Sequence, residues 1–391
     1  VFHCHHYNTY LQRSILDAGY VDSVPFLIGA AAEVAFAQLT NVFANANVTS
    51  TAQRIELAQE LYRWAGFGTF DLSSLNADGG TTSTSNSHYA MAWNAKFGTS
   101  DQPVCHFASG WLAGAWAAIQ DLPLGTFAVR HDTCRAEGAS TCEFELSEGA
   151  PNYTVFESVE AGHCATSQSP IAVDQGNVDY AGIYQALTGM EIVGDEAGSI
   201  SAFGVYLTRH YANYYNRVSF ETERAMVQKF GDHGLAAARP LFVEAGHVCA
   251  FNTFGGMMTS GEWDALILPS LKCQGDWVHG MTAAVNALGW GRWQVTDLSV
   301  EGATFVIHDD YESNGYLGMY GVADHPVSYL AEGAAAGIMN LVYRGDVASK
   351  PEFTPEFYGH LFKADGNYVA TPESSKAMGD EFTSFRVTRK A

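Results

Sequence analysis

The chain has 391 residues, and its 42 acidic against 20 basic side chains give a formal net charge of −22 at pH 7. Nucleic acids and anionic membranes attract clustered Lys and Arg, so this charge argues against both as partners. With 47% hydrophobic residues the chain can bury large cores, and its length predicts two or three domains.

Neither a membrane span nor a secretory signal is predicted. Glu33 interrupts the longest apolar stretch, which therefore falls short of the roughly 18 uncharged residues that a span requires. The first residues lack the basic region and apolar core of a signal peptide. The seven cysteines are few for a disulfide framework, and four of them stand beside a histidine or two residues from one. We therefore expect reduced thiols and a cytoplasmic location.

The hydrophobic pattern predicts helices first and strands later. Helices are predicted near 25–45 and 51–65, followed by a strand region with frequent glycines and Thr/Ser-rich turns. A helix of small residues follows at roughly 105–120. Alternating residues at 127–129 and 143–146 predict two strands. This order predicts an α+β fold, with helices packed on an antiparallel sheet.

The sequence also contains an internal repeat. An offset of 223 matches residues 66–114 to a later segment without a gap, for example Gly66-Phe67-Gly68 with Gly289-Trp290-Gly291. An offset of 241 matches the strand region after it, and a weaker offset of 244 matches the first residues. The repeat predicts two copies of one domain at 1–150 and about 230–391, joined by a helical segment at 151–229.

Four soft ligands stand near the end of the first copy. They are Cys105, His131, Cys134 and Cys142. Three thiolates and one imidazole are a usual set for structural zinc, and His106 is the alternative to His131. The second copy carries Ser328, Pro372, Ser375 and Thr383 at the matching positions. Joint replacement favours a shared metal, although buried cysteines can also serve as small hydrophobic residues.

These residues resemble a known family. Cys105 followed by Gly110 and Gly114, and His131-Asp132-Thr133-Cys134 with the step to Cys142, resemble the 4-vinyl reductase domain. That domain also forms the sensor module of phenol- and xylene-responsive regulators. The resemblance implies a zinc ion held by cysteines and one acidic residue, with a pocket for a small aromatic or other apolar molecule above it. Here His131 occupies the acidic position.

Other histidines and cysteines form candidate catalytic residues. They are His3, Cys4, His5, His6, His247 and Cys249. We expect them to meet at the mouth of the pocket as acid/base groups and a thiolate nucleophile, or as a second metal site for an ion such as iron. An exposed terminus is the alternative for the first four. The pair His163-Cys164 has surroundings like those of His247, and a structural role is the alternative for it.

Several charged residues have two interpretations. Glu33 is expected to face a neighbouring subunit, and the acidic run at 309–312 is expected to be a solvated turn rather than a cation site. His308 and Glu332 are candidates for function in the second copy. The helix at 25–45 and the small-residue helix predict a homodimer.

The sequence leaves three functions open. We favour an enzyme that acts on a small apolar or aromatic molecule through His/Cys or metal-assisted chemistry, without a nucleotide cofactor, whose binding motif is missing. The alternatives are a ligand sensor or carrier subunit that works with a separate partner, and an assembly factor for a cofactor. No phosphate-binding loop or basic recognition helix accompanies the domain, so the chain does not resemble a complete regulator.

Overall fold

The computed structural model describes residues 1–156 and 176–390. Within this part of the chain, helices alternate with three small sheets, and every strand pair is antiparallel. The α+β class predicted from the sequence is therefore confirmed. The pair His163-Cys164 lies outside the described residues.

The first half begins with a strand and three helices and ends with a helix and two strands. Its elements are β1 (Phe2–Cys4), α1 (His5–Ala18), α2 (Val24–Asn45), α3 (Thr51–Trp64), β2 (Gly79–Thr84), α4 (His88–Phe97), α5 (His106–Gln120), β3 (Phe127–Thr133) and β4 (Cys142–Glu148). The central elements are α6 (Tyr180–Thr188), β5 (Ile200–Ala202) and β6 (Val205–Arg209).

The second half is richer in helix. Its elements are α7 (Ala212–Phe230), α8 (Asp232–Cys249), α9 (Gly255–Thr259), α10 (Gly261–Leu266), α11 (Gln274–Ala287), β7 (Arg292–Ser299), β8 (Gly302–His308), α12 (Tyr311–Tyr320), α13 (Tyr329–Met339), α14 (Pro355–Phe362), β9 (Tyr368–Ser374) and β10 (Thr383–Arg389). A π-helical turn, Ala250–Phe254, continues α8, and another, Asn340–Arg344, continues α13.

Two of the three sheets are each built from strands of one half of the chain, and the third joins distant parts of it. One has the strand order β2-β4-β3, and a second has the order β7-β8-β10-β9. The third sheet, β1-β6-β5, pairs the first residues of the chain with its centre, and Cys4 lies opposite Leu207 in this ladder. The N-terminal segment is thereby fixed to residues two hundred positions away.

Helices α2 and α5 pack so closely that only glycine fits at their crossing. A methyl group added at Gly110 would lie 1.9 Å from the carbonyl oxygen of Ile28, and one added at Gly114 would lie 2.1 Å from that of Ala32. Helices α8 and α13 cross in the same way, with Gly333 against the carbonyl oxygen of Val243. The small residues that suggested contacts between subunits thus serve contacts within one chain.

The order of elements follows the offsets found in the sequence. Helix α12 lies 223 residues after α4 and has the same length, and β9 and β10 lie 241 residues after β3 and β4. The weak offset of 244 is not followed, because it would place the start of α1 on the end of α8. Instead α8 packs on α13 as α2 packs on α5, with Pro240 standing where α2 has Pro25.

This correspondence supports the duplication, which remains our proposal, and it bears on the proposed boundary. Helix α7 falls in the segment expected to join the copies. It precedes α8 and packs beside α12, just as α1 precedes α2 and packs beside α4. The start of the second copy near residue 230 stays a prediction from the sequence.

Helix α2 is long and apolar enough to cross a membrane by length and composition alone. In the structure, 61% of the most apolar 18-residue stretch of this helix is buried inside the protein. Its one charged residue, Glu33, is buried and contacts Arg217 of α7 at 2.8 Å, so it does not face a neighbouring subunit. The helix is packed here as a core element.

Candidate functional site

Four metal-ligand side chains meet where α5 contacts the sheet of the first half. Cys105 directly precedes α5, His131 lies on β3, Cys134 follows that strand, and Cys142 begins β4. The intervening turn contains Gly138 at φ +94°, a conformation that other residues seldom adopt. The ligand atoms of all four residues lie within 4.8 Å of one another. The structure thus brings the predicted set together in a cluster that could bind a metal ion.

The separations between the sulfur atoms fit a tetrahedral ion. Cys105 Sγ lies 3.8 Å from Cys134 Sγ and 3.7 Å from Cys142 Sγ, and the other two sulfurs are 3.9 Å apart. A tetrahedral site with Zn–S bonds of about 2.3 Å has edges of about 3.8 Å. All three residues are free thiols, so their spacing fits metal ligands rather than a disulfide.

His131 completes the cluster. Its ring stacks on Phe144 with the centroids 4.3 Å apart, and both of its ring nitrogens are buried without a hydrogen-bond partner. Unpaired buried polar atoms are uncommon because their desolvation costs free energy, and a metal ion would satisfy one of these two. The alternative ligand His106 is not part of the cluster, and burial lowers its pKa to about 4.

The three thiols differ in their affinity for a proton. Hydrogen bonds from Cys105 and Cys142 hold the pKa of Cys134 well below its usual range, whereas burial raises the pKa of Cys105. Without a cation, the repulsion between like charges limits how many of these adjacent sulfurs can be thiolates. A divalent ion removes that limit, since metal binding replaces the thiol protons.

The second half replaces this cluster with hydroxyl groups around a buried carboxylate. Thr383 Oγ1 donates a hydrogen bond to Asp310 Oδ2 at 3.1 Å, and Ser328 donates to the same oxygen. Ser313 Oγ lies 2.9 Å from Ser328 Oγ and 3.1 Å from Thr383 Oγ1. In the second half, hydrogen bonds therefore hold together the elements that correspond to the ones carrying the soft ligands in the first half.

The acidic run at 309–312 is therefore not the solvated turn that we expected. Asp310 and Glu312 are buried. Asp310 caps α12, and the carboxylate of Glu312 accepts hydrogen bonds from the backbone N–H groups of Leu330 and Ala331, both at 3.0 Å. These two carboxylates accept hydrogen bonds from backbone N–H groups that have no partner within their own helices, at the starts of α12 and α13.

A cavity of about 180 Å³ lies close to the metal cluster. Its wall is formed by α4 and the turn before it, by residues 198–200, and by His5, Gly66 and Tyr206. Ser87 connects the two sites: it lies between the cavity residues Asn86 and His88, and its Oγ is 3.1 Å from Cys105 Sγ. A change at the metal cluster would therefore act directly on the cavity wall.

Two imidazoles, those of His5 and His88, are among the polar groups of the cavity. His88 Nε2 lies 3.1 Å from Asn8 Nδ2, and Asn8 is held in turn by Thr208 and Tyr215. Burial lowers the pKa of His88 to about 3 and that of His5 to about 4. Both rings are consequently neutral at pH 7, where each can exchange a hydrogen bond with a ligand.

The structure brings the candidate residues Cys4 and Cys249 together, whereas the candidate histidines have different surroundings. His5 lines the cavity, and its ring centroid lies 3.9 Å from that of His6. His3 is fully buried among aromatic rings, stacked on Trp290 at 4.7 Å. His247 Nδ1 contacts Glu244 at 3.2 Å on the outer side of α8.

Cys4 and Cys249 are both buried and lie against the same hydroxyl group. Among the residues that the structure describes, the cluster of Cys105 is the one group of three or more candidate ligands that could hold a metal. The other two second-half candidates stand apart: Glu332 pairs with Arg239 at 2.7 Å, and both ring nitrogens of His308 are buried without a hydrogen-bond partner.

Several residues of the cavity could not be identified from the sequence. Asn86 and Tyr206 are ordinary polar residues in their local context, and the long-range pairing of β1 with β6 brings Tyr206 next to His5. Lys96, which is half-buried near Cys4, was also missed. His88 did carry a signal, since it is a histidine within an apolar stretch.

Comparisons with known proteins give little further guidance. No protein family and no curated protein matches the chain. One similar solved structure is the phenol-responsive sensory domain of the transcription activator PoxR, determined with phenol. The similarity has a TM-score of 0.36 and 15% sequence identity, and it covers 49% of this chain and 81% of that domain. A likeness at this level carries no conclusion about function.

Proposed function

We propose that this protein binds a small, flat, mainly apolar molecule in the cavity beside α4, and that a zinc ion at the adjacent cysteine cluster supports the cavity wall. The observation on which this proposal rests is the position of Ser87, which lies between two cavity residues in the sequence and contacts Cys105. This position makes the metal a support for the binding site. The resemblance to the 4-vinyl reductase domain seen in the sequence is consistent with such a site.

The shape and polarity of the cavity indicate the class of ligand. A dry apolar cavity of about 150 Å³ is large enough for benzene, so this cavity suits a single ring with a small substituent. Most of its lining is alanine, glycine, methionine or isoleucine, and His5 and His88 are the imidazoles. We expect one hydroxyl or carbonyl group of the ligand to contact these rings.

Titration calorimetry with phenol as the probe tests the binding proposal. The variant Ala95→Phe adds a ring at the cavity wall and is expected to weaken binding at least tenfold. Ala44→Phe is the matched control, because it adds the same bulk to an exposed position of α2 far from the cavity. Equal loss of binding in both variants, or no binding of phenol and its ring-substituted relatives, would count against the proposal.

Catalysis is the second candidate, and the presence of two imidazoles in the cavity is the observation that favours it. An enzyme requires turnover of a bound ligand, and its rate should fall by about 10²–10⁴ in His5→Gln or His88→Gln if either ring transfers a proton. A sensor, carrier or assembly factor should bind the ligand without converting it. Mass spectrometry of the ligand after long incubation separates these cases.

The metal proposal has its own test. Elemental mass spectrometry of the purified protein should find one zinc per chain, and Cys134→Ser/Cys142→Ser should abolish it. Ser375→Ala/Thr383→Val, at the matching positions of the second half, is the control and should retain the zinc. The second metal, the homodimer and the cytoplasmic location remain predictions from the sequence. Metal stoichiometry, solution mass and cell fractionation, respectively, would test them.

A further inference from the structure

Two thiols from opposite parts of the chain lie side by side in the core. Thr253 Oγ1 donates a hydrogen bond to Cys4 Sγ at 2.7 Å and lies 3.5 Å from Cys249 Sγ. Both cysteines are fully buried and free. The hydroxyl group of Thr253 therefore contacts both sulfurs in the same part of the core. This contact joins the first strand to the end of α8.

The backbone holds both thiols firmly. Cys4 ends β1, whose pairing with β6 fixes its position opposite Leu207. Cys249 ends α8, and the π-helical turn that follows places the hydroxyl of Thr253 between the two sulfurs. Single π-helical turns often occur at functional sites, because the irregular hydrogen bonding redirects side chains.

The surroundings of the pair favour a negative charge on one sulfur. Lys96 of α4 is half-buried, donates to the carbonyl oxygen of His6 at 3.4 Å, and attracts negative charge on both thiols. Burial would raise the pKa of Cys4, but hydrogen bonds from Cys249 and Thr253 and the charge of Lys96 lower it to about 7. Burial and the nearby Cys4 raise the pKa of Cys249.

We propose that Cys4 and Cys249 are a redox-active pair that forms a reversible disulfide when a hydroperoxide oxidises the protein. This proposal does not depend on the proposed ligand or on the zinc site. The geometry carries it: two free thiols share one hydroxyl group near the half-buried Lys96, in a chain whose three other buried, described cysteines belong to the metal cluster.

The reaction balances in two steps. The Cys4 thiolate attacks one peroxide oxygen, the O–O bond breaks, and the leaving oxygen takes a proton to form an alcohol, or water from hydrogen peroxide. Cys249 then attacks the sulfenic acid sulfur, the S–S bond forms, and the hydroxyl leaves as water with the proton of the Cys249 thiol. The two sulfurs lose two electrons in total, and the peroxide gains them.

Two residues that line the cavity are direct neighbours in sequence of the thiol pair or of its lysine. His5, which lines it, directly follows Cys4, and Ala95, which also lines it, directly precedes Lys96. A small oxidant that enters this cavity is therefore close to the sulfurs, whereas a bulky reagent is too large to approach them from there. We therefore expect hydrogen peroxide to reach the pair before an aromatic disulfide reagent does, whereas the exposed Cys273 should react with both.

The test treats the full-length, zinc-loaded protein with one equivalent of hydrogen peroxide, followed by denaturation, alkylation and peptide mapping. The expected result is a peptide that links Cys4 to Cys249, the loss of two alkylatable thiols, and their recovery with dithiothreitol. Because it uses the unchanged chain, this result does not depend on a variant that folds. Cys273→Ser is the control and should give the same linked peptide.

Single variants assign the roles of the two thiols. Cys249→Ser should stop at a sulfenic acid on Cys4, which dimedone traps, and Cys4→Ser should leave Cys249 unoxidised. The proposal is overturned if both thiols remain alkylatable while Cys273 is oxidised. It is equally overturned if the disulfide joins Cys4 to another cysteine, including Cys164, or if the cysteines of the metal cluster oxidise first.

Discussion

Arg217 of α7 forms a two-pronged ion pair with Glu33 of α2, with Nε–Oε2 at 2.8 Å and Nη2–Oε1 at 3.1 Å. Both side chains are about 95% buried. The guanidinium also lies over the ring of Phe156, 4.7 Å from its centroid. The two halves of the chain are thus joined by charges that have little access to water.

Removing one partner of this pair should destabilise the fold strongly. Glu33→Ala leaves a buried guanidinium without its main counter-charge, and we expect the free energy of unfolding to fall by about 3–5 kcal/mol. The double variant Glu33→Leu/Arg217→Leu should lose less than Glu33→Ala alone. Asp17→Ala, which breaks the exposed Arg13–Asp17 pair, should cost about 0.5 kcal/mol or less. Urea unfolding of the four proteins checks this, and a larger loss in the double variant would contradict it.

Metal removal should loosen the first half more than the second. If Cys105, Cys134 and Cys142 hold the proposed zinc ion, a chelator would withdraw it, while the hydroxyl groups around Asp310 hold the second half together without a metal. Hydrogen exchange should therefore accelerate in β3 and β4 and change little in β9 and β10. Equal acceleration in all four strands would show that the metal does not act locally.

Gly110→Ala should be destabilising because its methyl group would lie 1.9 Å from a backbone carbonyl oxygen. Relieving that clash must move α2 away from α5, at a cost of about 1–3 kcal/mol. Gly359 of α14 provides the control, since a methyl group there meets no atom within 4 Å. Gly359→Ala should stabilise the protein by about 0.5–1 kcal/mol. Thermal unfolding should therefore shift in opposite directions for the two variants.

Acid should destabilise the protein through the buried histidines. Burial lowers the pKa of His88 to about 3 and that of His5 to about 4 in the folded state, against an ordinary value of 6.5. Between these values the unfolded chain binds more protons, so stability falls as the pH drops below 6.5. The slope is about 1.4 kcal/mol per pH unit for each proton taken up.

The variant His88→Gln isolates one of these contributions. Its unfolding free energy, measured between pH 7 and pH 4, should depend less steeply on pH than that of the unchanged protein. Parallel pH profiles for His88→Gln and the unchanged protein would contradict this explanation.

The sequence predicted what depends on local pattern. The period-two residues Phe127-Ala128-Val129 fall in β3, and the small residues Gly110 and Gly114 do permit a close helix crossing. The spacing of Cys134 and Cys142 around a turn glycine was enough to identify them as neighbours, because eight residues and one reversal bring strand ends together. Cys105 was added because it begins the small-residue helix and because the second copy replaces it together with the other three ligands.

Contacts over long distances could not be predicted. Glu33 and the acidic residues Asp310 and Glu312 looked like surface groups, because their partners lie far along the chain or are backbone N–H groups of another helix. Cys4 and Cys249 were expected to meet at the mouth of the pocket together with several histidines, but their local sequence did not predict a contact through the hydroxyl group of Thr253. Buried charge and paired thiols are properties of the tertiary fold, which local periodicity does not encode.

The pairing of β1 with β6 has a consequence for biosynthesis. Residues 2–4 leave the ribosome before most of the chain, yet their hydrogen-bonding partners at 207–209 are made some two hundred residues later. Until then the first strand has an open edge, and α1 lacks the surface of α8 against which it packs. The first half of the nascent chain therefore cannot complete its folding alone. We expect the late pairing of β1 with β6 to limit the folding rate.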